Sequence, residues 1–349
     1  MKKKLSILVF SLVMGVMAGG CSGESVREPE VYNLSSTAMG TLVTQTIYTT
    51  GENPASSVLE LLTQTEDKYL SWSEEDSDIG KANLQAGQGA AAVNSRTMEY
   101  LEETLQLSRD SGGAFDPTMG QLTRLWDVEA ENPQVPSRKK IKQYLKESGY
   151  EKIHLSNDGT PQVELEEGAA IDLGAVGKGI GCDEAAEFLQ KDSQVQGAVV
   201  AVGGSVFTLG SKPDQSPWKV AVRDPRGGQE ELLGILNLEG ETYVSTSGDY
   251  EKYFIQEERR YHHILDPFTG YPADAGLISA TVVGRDGLIS DGLSTACFVL
   301  GMEKGAELLE KYHAEGIFVD EKKQVYVTDG LMENFELSAS GYVVFPLSP

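Results

Sequence analysis

The chain has 349 residues, with 29 Lys and Arg against 53 Asp and Glu, so its formal charge at pH 7 is −24. Nucleic-acid binding needs a concentrated basic surface, and this balance argues against it. A chain of this length can bury one large core or two small ones. Of its three cysteines, Cys182 and Cys297 lie in apolar helical patterns, which indicates small core residues rather than a disulfide.

The amino-terminal residues have the composition of an export signal. Lysines at positions 2–4 precede an apolar run over residues 5–18, and Gly19 and Gly20 stand directly before Cys21. The apolar run is too short for an ordinary membrane span. A cysteine after two small residues is typical of a bacterial lipoprotein signal, in which the cysteine is lipidated. Plain secretion with Cys21 as an incidental thiol is the alternative.

This pattern predicts the organisation of the whole chain. We expect a lipoprotein signal peptide over residues 1–20, a polar tether over residues 21–32 and one domain over residues 33–349. The lipid on Cys21 would anchor the exported protein to the outer face of the bacterial cytoplasmic membrane, or the protein would lie in the periplasm.

Hydrophobic periodicity predicts an α+β domain, because helices and strands come in clusters without strict alternation. No linker-like run and no fixed repeat interrupts it, so we expect one compact domain with mixed or antiparallel sheets and packed helices. Helices are predicted over residues 55–70, over 97–111 and after an N-cap at Ser137. Strands are predicted over residues 42–48, 163–165, 169–173, 197–202, 218–222, 243–245, 277–283, 317–319, 325–327 and 342–345, the last three as short hairpin strands.

Three glycine-containing segments are candidate ligand loops. Residues 171–179 (IDLGAVGKG) run from a predicted strand into a predicted helix. Glycines allow close backbone approach, a helix amino-terminus favours phosphate, and Lys178 adds a positive charge. The segment is neither a Walker loop nor a G-x-G-x-x-G motif. Residues 113–118 (GAFDPT) form a turn that could hold a carboxylate against a ligand, and residues 39–41 (MGT) precede the first predicted strand. Packing turns are the alternative for each.

The most informative segment is residues 261–272 (YHHILDPFTGYP), followed by Asp291 and Thr295. Helical spacing predicts a helix that begins after an N-cap at Ser290 and ends at Gly301. Residues four apart share a helix face, so both oxygens can face one point near the helix amino-terminus. Magnesium usually takes one or two protein carboxylates and completes its shell with water and phosphate. The alternative is that Asp291 merely charges the first turn.

Taken in chain order, these segments resemble the ApbE family of FAD:protein FMN transferases. The resemblance covers nearly the whole mature domain, and several motifs in one order are far more specific than any one alone. The matching segments are MGT at 39–41, GAFDPT at 113–118, DLGAVGKG at 172–179, GG at 203–204, STSGDY at 245–250, HILDP at 263–267, TGYP at 269–272, and then Asp291 and Thr295.

The resemblance implies a T-fold-related domain that transfers FMN from FAD to a threonine hydroxyl of an acceptor protein, releases AMP and requires Mg²⁺. The acceptor would be an electron-transfer subunit or an FMN-binding domain. His263 is implied as the catalytic residue. The implied metal ligands are the carbonyl of Ala175 and the side chains of Asp291, Ser294 and Thr295. The implied flavin-nucleotide contacts are Met39, Trp72, Ser73, Ala114, Phe115, Asp116, Asp172, Lys178 and Ile264.

Two positions depart from the family pattern. Ser205 stands where many relatives have Asp after the glycine pair. Trp72 stands one position before the place where the family pattern has an aromatic residue that stacks on the flavin. This shift bears on the balance between transfer of FMN to protein and transfer of FMN to water.

Four other functions can be drawn from the same sequence. An FAD pyrophosphatase would use the same metal as the transferase and differ only in the nucleophile. A non-catalytic flavin-binding lipoprotein would not need a metal site beside a histidine. A zinc hydrolase is disfavoured, because adjacent His262 and His263 point to opposite faces of a strand. A triad of Ser247, His263 and Asp266 lacks a nucleophile-elbow motif.

Overall fold

The computed structural model describes residues 27–228 and 230–348. The signal peptide, Cys21 and the first half of the expected tether lie outside these residues, so they stay predictions. Strand β1 begins at Glu30, within the last residues of the expected tether. Over the described residues, no helix has both the length and the apolar character needed to cross a membrane.

The described residues form an α+β fold. The helices are α1 (Ala55–Thr65), α2 (Asp78–Leu84), α3 (Ser95–Asp110), α4 (Gly120–Trp126), α5 (Arg138–Glu147), α6 (Gly177–Gln190), α7 (Gly287–Leu300) and α8 (Met302–Lys311). The strands are β1 (Glu30–Ala38), β2 (Thr41–Thr49), β3 (Ala90–Ala92), β4 (Ile153–Asn157), β5 (Pro161–Leu165), β6 (Val195–Val202), β7 (Ser205–Gly210), β8 (Trp218–Arg223), β9 (Leu232–Leu238), β10 (Thr242–Gly248), β11 (Tyr253–Gln256), β12 (Arg259–His262), β13 (Leu277–Gly284), β14 (Glu315–Asp320), β15 (Gln324–Thr328), β16 (Phe335–Leu337) and β17 (Val343–Leu347).

The largest sheet has nine strands in the order β1-β2-β6-β7-β10-β13-β14-β15-β17. Its neighbouring strands are antiparallel except β15 and β17, which are parallel. Three small sheets accompany it, with the orders β3-β5-β4, β16-β9-β8 and β11-β12. The expectation of mixed and antiparallel sheets is therefore confirmed.

The large sheet is covered on both faces. Helices α1 and α6 pack on one face through a cluster that includes Leu62, Leu189 and Val200. The small sheet β16-β9-β8 covers part of the other face through Trp218 and Leu236. Strand β13 is buried over almost its whole length, as its nearly continuous apolar sequence requires. Burial on both sides gives the site elements at the centre of this sheet a rigid base.

Most predicted elements are present with shifted ends. The predicted helix over residues 55–70 is α1 followed by a π-helical turn over Glu66–Leu70. Ser137 caps α5, as expected. The cysteines at 182 and 297 are free and buried, so the expectation of small core residues is confirmed.

Other expectations are wrong. Residues 169–173 form no strand, and only Ala170 makes an isolated bridge, with Met119. The last strand, β17, is not part of a hairpin, because it runs parallel to β15. Strand β1 precedes the strand expected to be first, so Met39 and Gly40 form the tight turn of a β1–β2 hairpin.

Candidate active site

The amino-terminal ends of α6 and α7 cross in direct backbone contact. A Cβ atom on Gly179 would lie 2.1 Å from the carbonyl oxygen of Gly287, and a Cβ on Gly287 would lie 2.3 Å from the carbonyl oxygen of Gly179. Only glycine fits at either position without backbone movement. The crossing therefore brings two positive helix ends to one place beside the central strands, where an anion is favoured.

Each helix supplies a carboxylate to the amino-terminus of the other. Asp291 of α7 accepts a hydrogen bond at Oδ2 from the amide of Gly179 at 3.0 Å. Asp183 of α6 accepts two 2.7 Å bonds from the amides of Gly287 and Leu288. Burial and the nearby Asp286 carboxylate raise the pKa of Asp183 well above its ordinary range.

The expected N-cap at Ser290 is wrong. Helix α7 begins at Gly287, and Asp286 caps it through a bond from the amide of Ile289. Asp291 therefore lies in the second turn of its own helix. The positive helix end beside its carboxylate belongs to α6.

A cluster of hydroxyl groups surrounds the Asp291 carboxylate. Ser205 donates to its Oδ1 at 3.1 Å, and Ser245 donates to Ser205 at 3.0 Å. On β10, the strand next to that of Ser205, Ser247 lies 2.8 Å from the hydroxyl of Ser294 and 3.1 Å from that of Thr295. Asp291 is only 3% exposed. Both carboxylate oxygens are thus held in a fixed orientation.

The donor set around Asp291 fits magnesium. It contains one carboxylate and several neutral oxygens, and magnesium prefers oxygen ligands with few protein carboxylates. In the described ranges, no group of three or more His, Cys, Asp or Glu side chains could hold a metal. The amide of Gly179 donates to Asp291 and not to the carbonyl of Ala175, four residues earlier. The Ala175 carbonyl therefore lacks the hydrogen bond that a helix would normally give it. Ser294 is fully buried and already donates to the Asp291 carbonyl.

Lys178 lies beside this carboxylate, and His263 lies near Lys178. The Lys178 ammonium is 3.8 Å from Asp291 Oδ2. Burial, reinforced by the positive charge of Lys178, lowers the pKa of His263 to about 3. Its Nδ1 is buried and has no hydrogen-bond partner within the described residues. The imidazole is therefore neutral near pH 7 and retains an unused ring nitrogen.

His262 has a different environment. Its Nε2 lies 3.0 Å from the carbonyl oxygen of Ala273, and its ring packs edge-on against Phe298. Burial lowers its pKa as well. A ring held between a carbonyl and a core aromatic is a structural residue, which agrees with the preference for His263 as the catalytic residue.

The two loops expected to hold the flavin nucleotide touch each other. The amide of Asp172 donates to the Pro117 carbonyl at 2.8 Å. Asp172 accepts from the amide of Gly174, and Asp116 accepts from the amide and hydroxyl of Thr118. Burial raises the pKa of both carboxyl groups. Negative phosphate near either carboxylate would raise its pKa further.

Three of the expected flavin contacts have core side chains. Ala114 and Phe115 are almost fully buried, and Phe115 belongs to the same hydrophobic cluster as Ile264. Ile264 packs in the protein interior, and its contact with the ligand stays a prediction. Ala114 and Phe115 can reach a ligand only through backbone atoms or after a rearrangement.

Trp72 and Ser73 line a cavity of about 290 Å³ with Asn83 and Arg124. The Arg124 guanidinium lies 4.2 Å from the centre of the Trp72 ring. Met39 lies apart from them, packed against α6, where a Cβ on Gly181 would meet its sulfur atom at 2.6 Å. Trp72 and Ser73 thus line a cavity with Arg124, whereas Met39 packs against α6.

Sequence reasoning did not identify several residues of this site. Ser205 was noted only as a departure and Ser245 only as part of the STSGDY segment, and Asp183 and Arg124 were not considered. Ser245 and Ser247 alternate along β10 and face α7, so period-2 spacing in the STSG segment was the available signal. Asp183 and Arg124 gave none, because their roles depend on partners more than 50 residues away in the chain.

Comparison with known proteins agrees with this geometry. The sequence profile of the ApbE family matches residues 39–318. The chain belongs to the ApbE family. It is 31% identical to the FAD:protein FMN transferase of Treponema pallidum, over 98% of this chain and 97% of that protein.

Solved ApbE structures share the fold. The ApbE protein of Thermotoga maritima has a TM-score of 0.79 at 32% identity and covers 87% of this chain and 99% of its own. The flavinyl transferase ApbE of Pseudomonas stutzeri has a TM-score of 0.76 at 30% identity, covering 90% and 100%. The α+β expectation and the family resemblance are both confirmed.

Proposed function

We propose that this protein is an FAD:protein FMN transferase, which moves FMN from FAD to a threonine hydroxyl of an acceptor protein. The threonine oxygen bonds to the FMN phosphorus, and the bond from this phosphorus to the bridging oxygen breaks. The hydroxyl loses its proton, and AMP departs with the bridging oxygen. ApbE relatives with this name that match nearly the whole chain support the proposal.

The observation that carries the proposal is the pairing of Lys178 with Asp291 at two helix amino-termini, with His263 near enough to Lys178 for this charge to lower the imidazole pKa. Lys178 and the helix ends favour the negative pyrophosphate of FAD. A magnesium ion held by Asp291, Ser294, Thr295 and the Ala175 carbonyl would neutralise charge on the phosphate oxygens.

His263 is the base in this account. Its ring is neutral at physiological pH, so it can accept the threonine proton without first losing one of its own. Negative phosphates nearby favour the protonated imidazole, so bound FAD would strengthen a base that is weak in the empty site.

We further infer that the reaction takes place outside the cytoplasm. The lysines, apolar run and small residues before Cys21 support export and lipid anchoring. The acceptor would then be an electron-transfer subunit or FMN-binding domain that exposes its threonine on the same side of the membrane.

The test is incubation of the purified protein with FAD, Mg²⁺ and an apo FMN-binding domain, followed by flavin fluorescence on a denaturing gel and AMP quantification. Transfer predicts bound flavin and AMP in equal amounts, and no bound flavin on an acceptor with the threonine replaced by alanine. AMP without bound flavin would instead identify a pyrophosphatase. FAD binding with neither product would identify a flavin-binding protein.

A further inference from the structure

Helix α5 carries an exposed basic surface on an acidic chain. Five of its ten residues are cationic and solvent-exposed, and its only carboxylate is Glu147. The chain as a whole has a net charge of −24. We call the five cations the basic face: Arg138, Lys139, Lys140, Lys142 and Lys146.

The basic face has no partner within the described residues. No carboxylate there lies within ion-pair distance of any of its cations, although cations elsewhere on the chain do form such pairs. Cations in the first turn oppose the helix dipole, and α5 has three there but no acidic residue. Like charges four residues apart, such as Arg138 and Lys142, also destabilise a helix by a few tenths of a kcal/mol. Within the described part of the chain, no ion pair offsets these local costs.

The inner face of α5 packs against the segment that follows His263. A Cβ on Gly270 would lie 2.8 Å from Ile141 and 3.7 Å from Leu145, so the turn and the helix are in direct contact. Ile141 shares a buried cluster with Leu265, two residues after His263. Helix α5, whose exposed side carries the basic face, therefore packs against the turn that follows the proposed base.

The carboxyl-terminal end of α5 is tied to the other side of the site. The amide of Gly149, two residues beyond the helix, donates to the Thr118 hydroxyl at 2.6 Å. The same hydroxyl donates to Asp116 in the expected nucleotide loop. Helix α5 thus borders both the Asp116 loop and the turn after His263.

An exposed aromatic side chain lies between these elements. Phe268 is 61% exposed, and a Cβ on Gly113 would lie 3.9 Å from its ring. Partly exposed aromatics near a cationic rim are typical anchors of protein interfaces, whereas isolated exposed cations mainly affect association rate.

We propose that the basic face and Phe268 dock an acidic surface of the acceptor protein, so that its threonine reaches His263. The inference rests on the proposed function, which requires a protein partner to approach the active site. A chain of net charge −24 repels an acidic partner on the whole, so a local basic patch can steer its approach. A membrane is the less suited occupant, because the apolar face of α5 is buried against Leu122 and Trp126 and cannot enter lipid.

The test compares two triple variants with the same change of charge. One is Lys139→Gln/Lys140→Gln/Lys142→Gln on α5, and the control is Lys219→Gln/Lys304→Gln/Lys322→Gln at exposed sites on other elements. FMN transfer to an apo FMN-binding domain is measured against acceptor concentration, together with the melting temperature of each protein.

At low ionic strength the α5 variant should show a fall of about 10-fold in kcat/KM for the acceptor, while the control stays within about twofold of wild type. The difference should vanish near 1 M salt, where the Debye length is about 3 Å. Phe268→Ala should lower kcat/KM at both salt concentrations, since an apolar anchor is not screened.

An α5 variant that matches the control at low ionic strength would overturn the docking surface. If instead wild type, but not the α5 variant, sediments with phosphatidylglycerol vesicles while both keep the same acceptor kcat/KM, the occupant is a membrane. If wild type attaches no flavin to the acceptor at all, the proposed function itself fails.

Discussion

Two adjacent histidines differ in environment because successive residues near the end of β12 point in opposite directions. The His262 ring is held by a carbonyl and Phe298, whereas the His263 ring lies beside Lys178 with a free nitrogen. The ILDP segment after His263 is the signal on which the prediction of this histidine as the site residue depends. The depressed pKa could not be predicted, since it depends on burial and on a lysine from α6.

Replacing His263 by alanine should slow FMN transfer by roughly 10²-fold while FAD still binds, because general-base catalysis contributes on that order. His262→Ala is the matched control and should affect the rate much less, although it leaves the Ala273 carbonyl unpaired. Equal or reversed effects in single-turnover assays would show that the base is not His263.

The pH profile gives a separate test of His263. Because its pKa is lowered to about 3, the imidazole stays neutral as pH falls through 6.5. The pH dependence of kcat/KM for FAD reports ionisations of the free protein. Protonation of His263 should cause no fall in kcat/KM near pH 6.5, so wild type should have no acid limb there that is absent from His263→Ala. A limb with that midpoint would mean that the ring is solvated in solution.

Asp291→Asn should reduce transfer by about 10²-fold or more and weaken the dependence of the rate on Mg²⁺, because the lost charge leaves phosphate poorly neutralised. Asp286→Asn on the same helix is the control, since asparagine also caps well. Mn²⁺ binding to each variant, followed by electron paramagnetic resonance, checks the ligand assignment without turnover. Wild-type affinity and activity in Asp291→Asn would remove the residue from the metal site.

At the scale of elements, the site depends on the crossing of α6 and α7. The sequence predicted both helices and their glycines, but placed the start of α7 at Ser290. A capping preference cannot separate Asp286 from Ser290, because each precedes a helical pattern. The difference comes from packing, since Ser290 is buried and the amides of Gly287 and Leu288 are bound by Asp183.

Gly287→Ala should lower the free energy of unfolding by roughly 1–3 kcal/mol, as other overpacked sites do. The new Cβ would lie 2.3 Å from a backbone oxygen of Gly179, which cannot move without shifting α6. Gly228→Ala is the control, because its Cβ would meet only the Glu231 side chain at 3.7 Å or more. If denaturant unfolding gives the same free energy of unfolding for both variants, helices α6 and α7 can move apart at the crossing without loss of stability.

At the scale of the molecule, strand positions were easier to predict than their order. Residues 42–48, 197–202 and 277–283 alternate or run apolar and are strands of the large sheet. Their neighbours are set by contacts between distant segments, such as β2 with β6 and β10 with β13, which periodicity does not encode. The parallel pairing of β17 with β15 was unpredictable for the same reason.

Limited proteolysis should leave one resistant fragment that spans the large sheet, because its strands come from both ends of the chain and share continuous cores. First cleavage is expected at exposed loop tips, such as the segment after Asp224. Two separately stable halves would contradict the prediction of one domain.

The central claim is that the protein forms a covalent bond between FMN and an acceptor threonine. The most direct measurement is the intact mass of an apo FMN-binding domain after incubation with the protein, FAD and Mg²⁺. The account predicts a mass increase equal to FMN less one water, located at the threonine by fragmentation and absent with Asp291→Asn. An unchanged acceptor mass while FAD is converted to free FMN and AMP would contradict it.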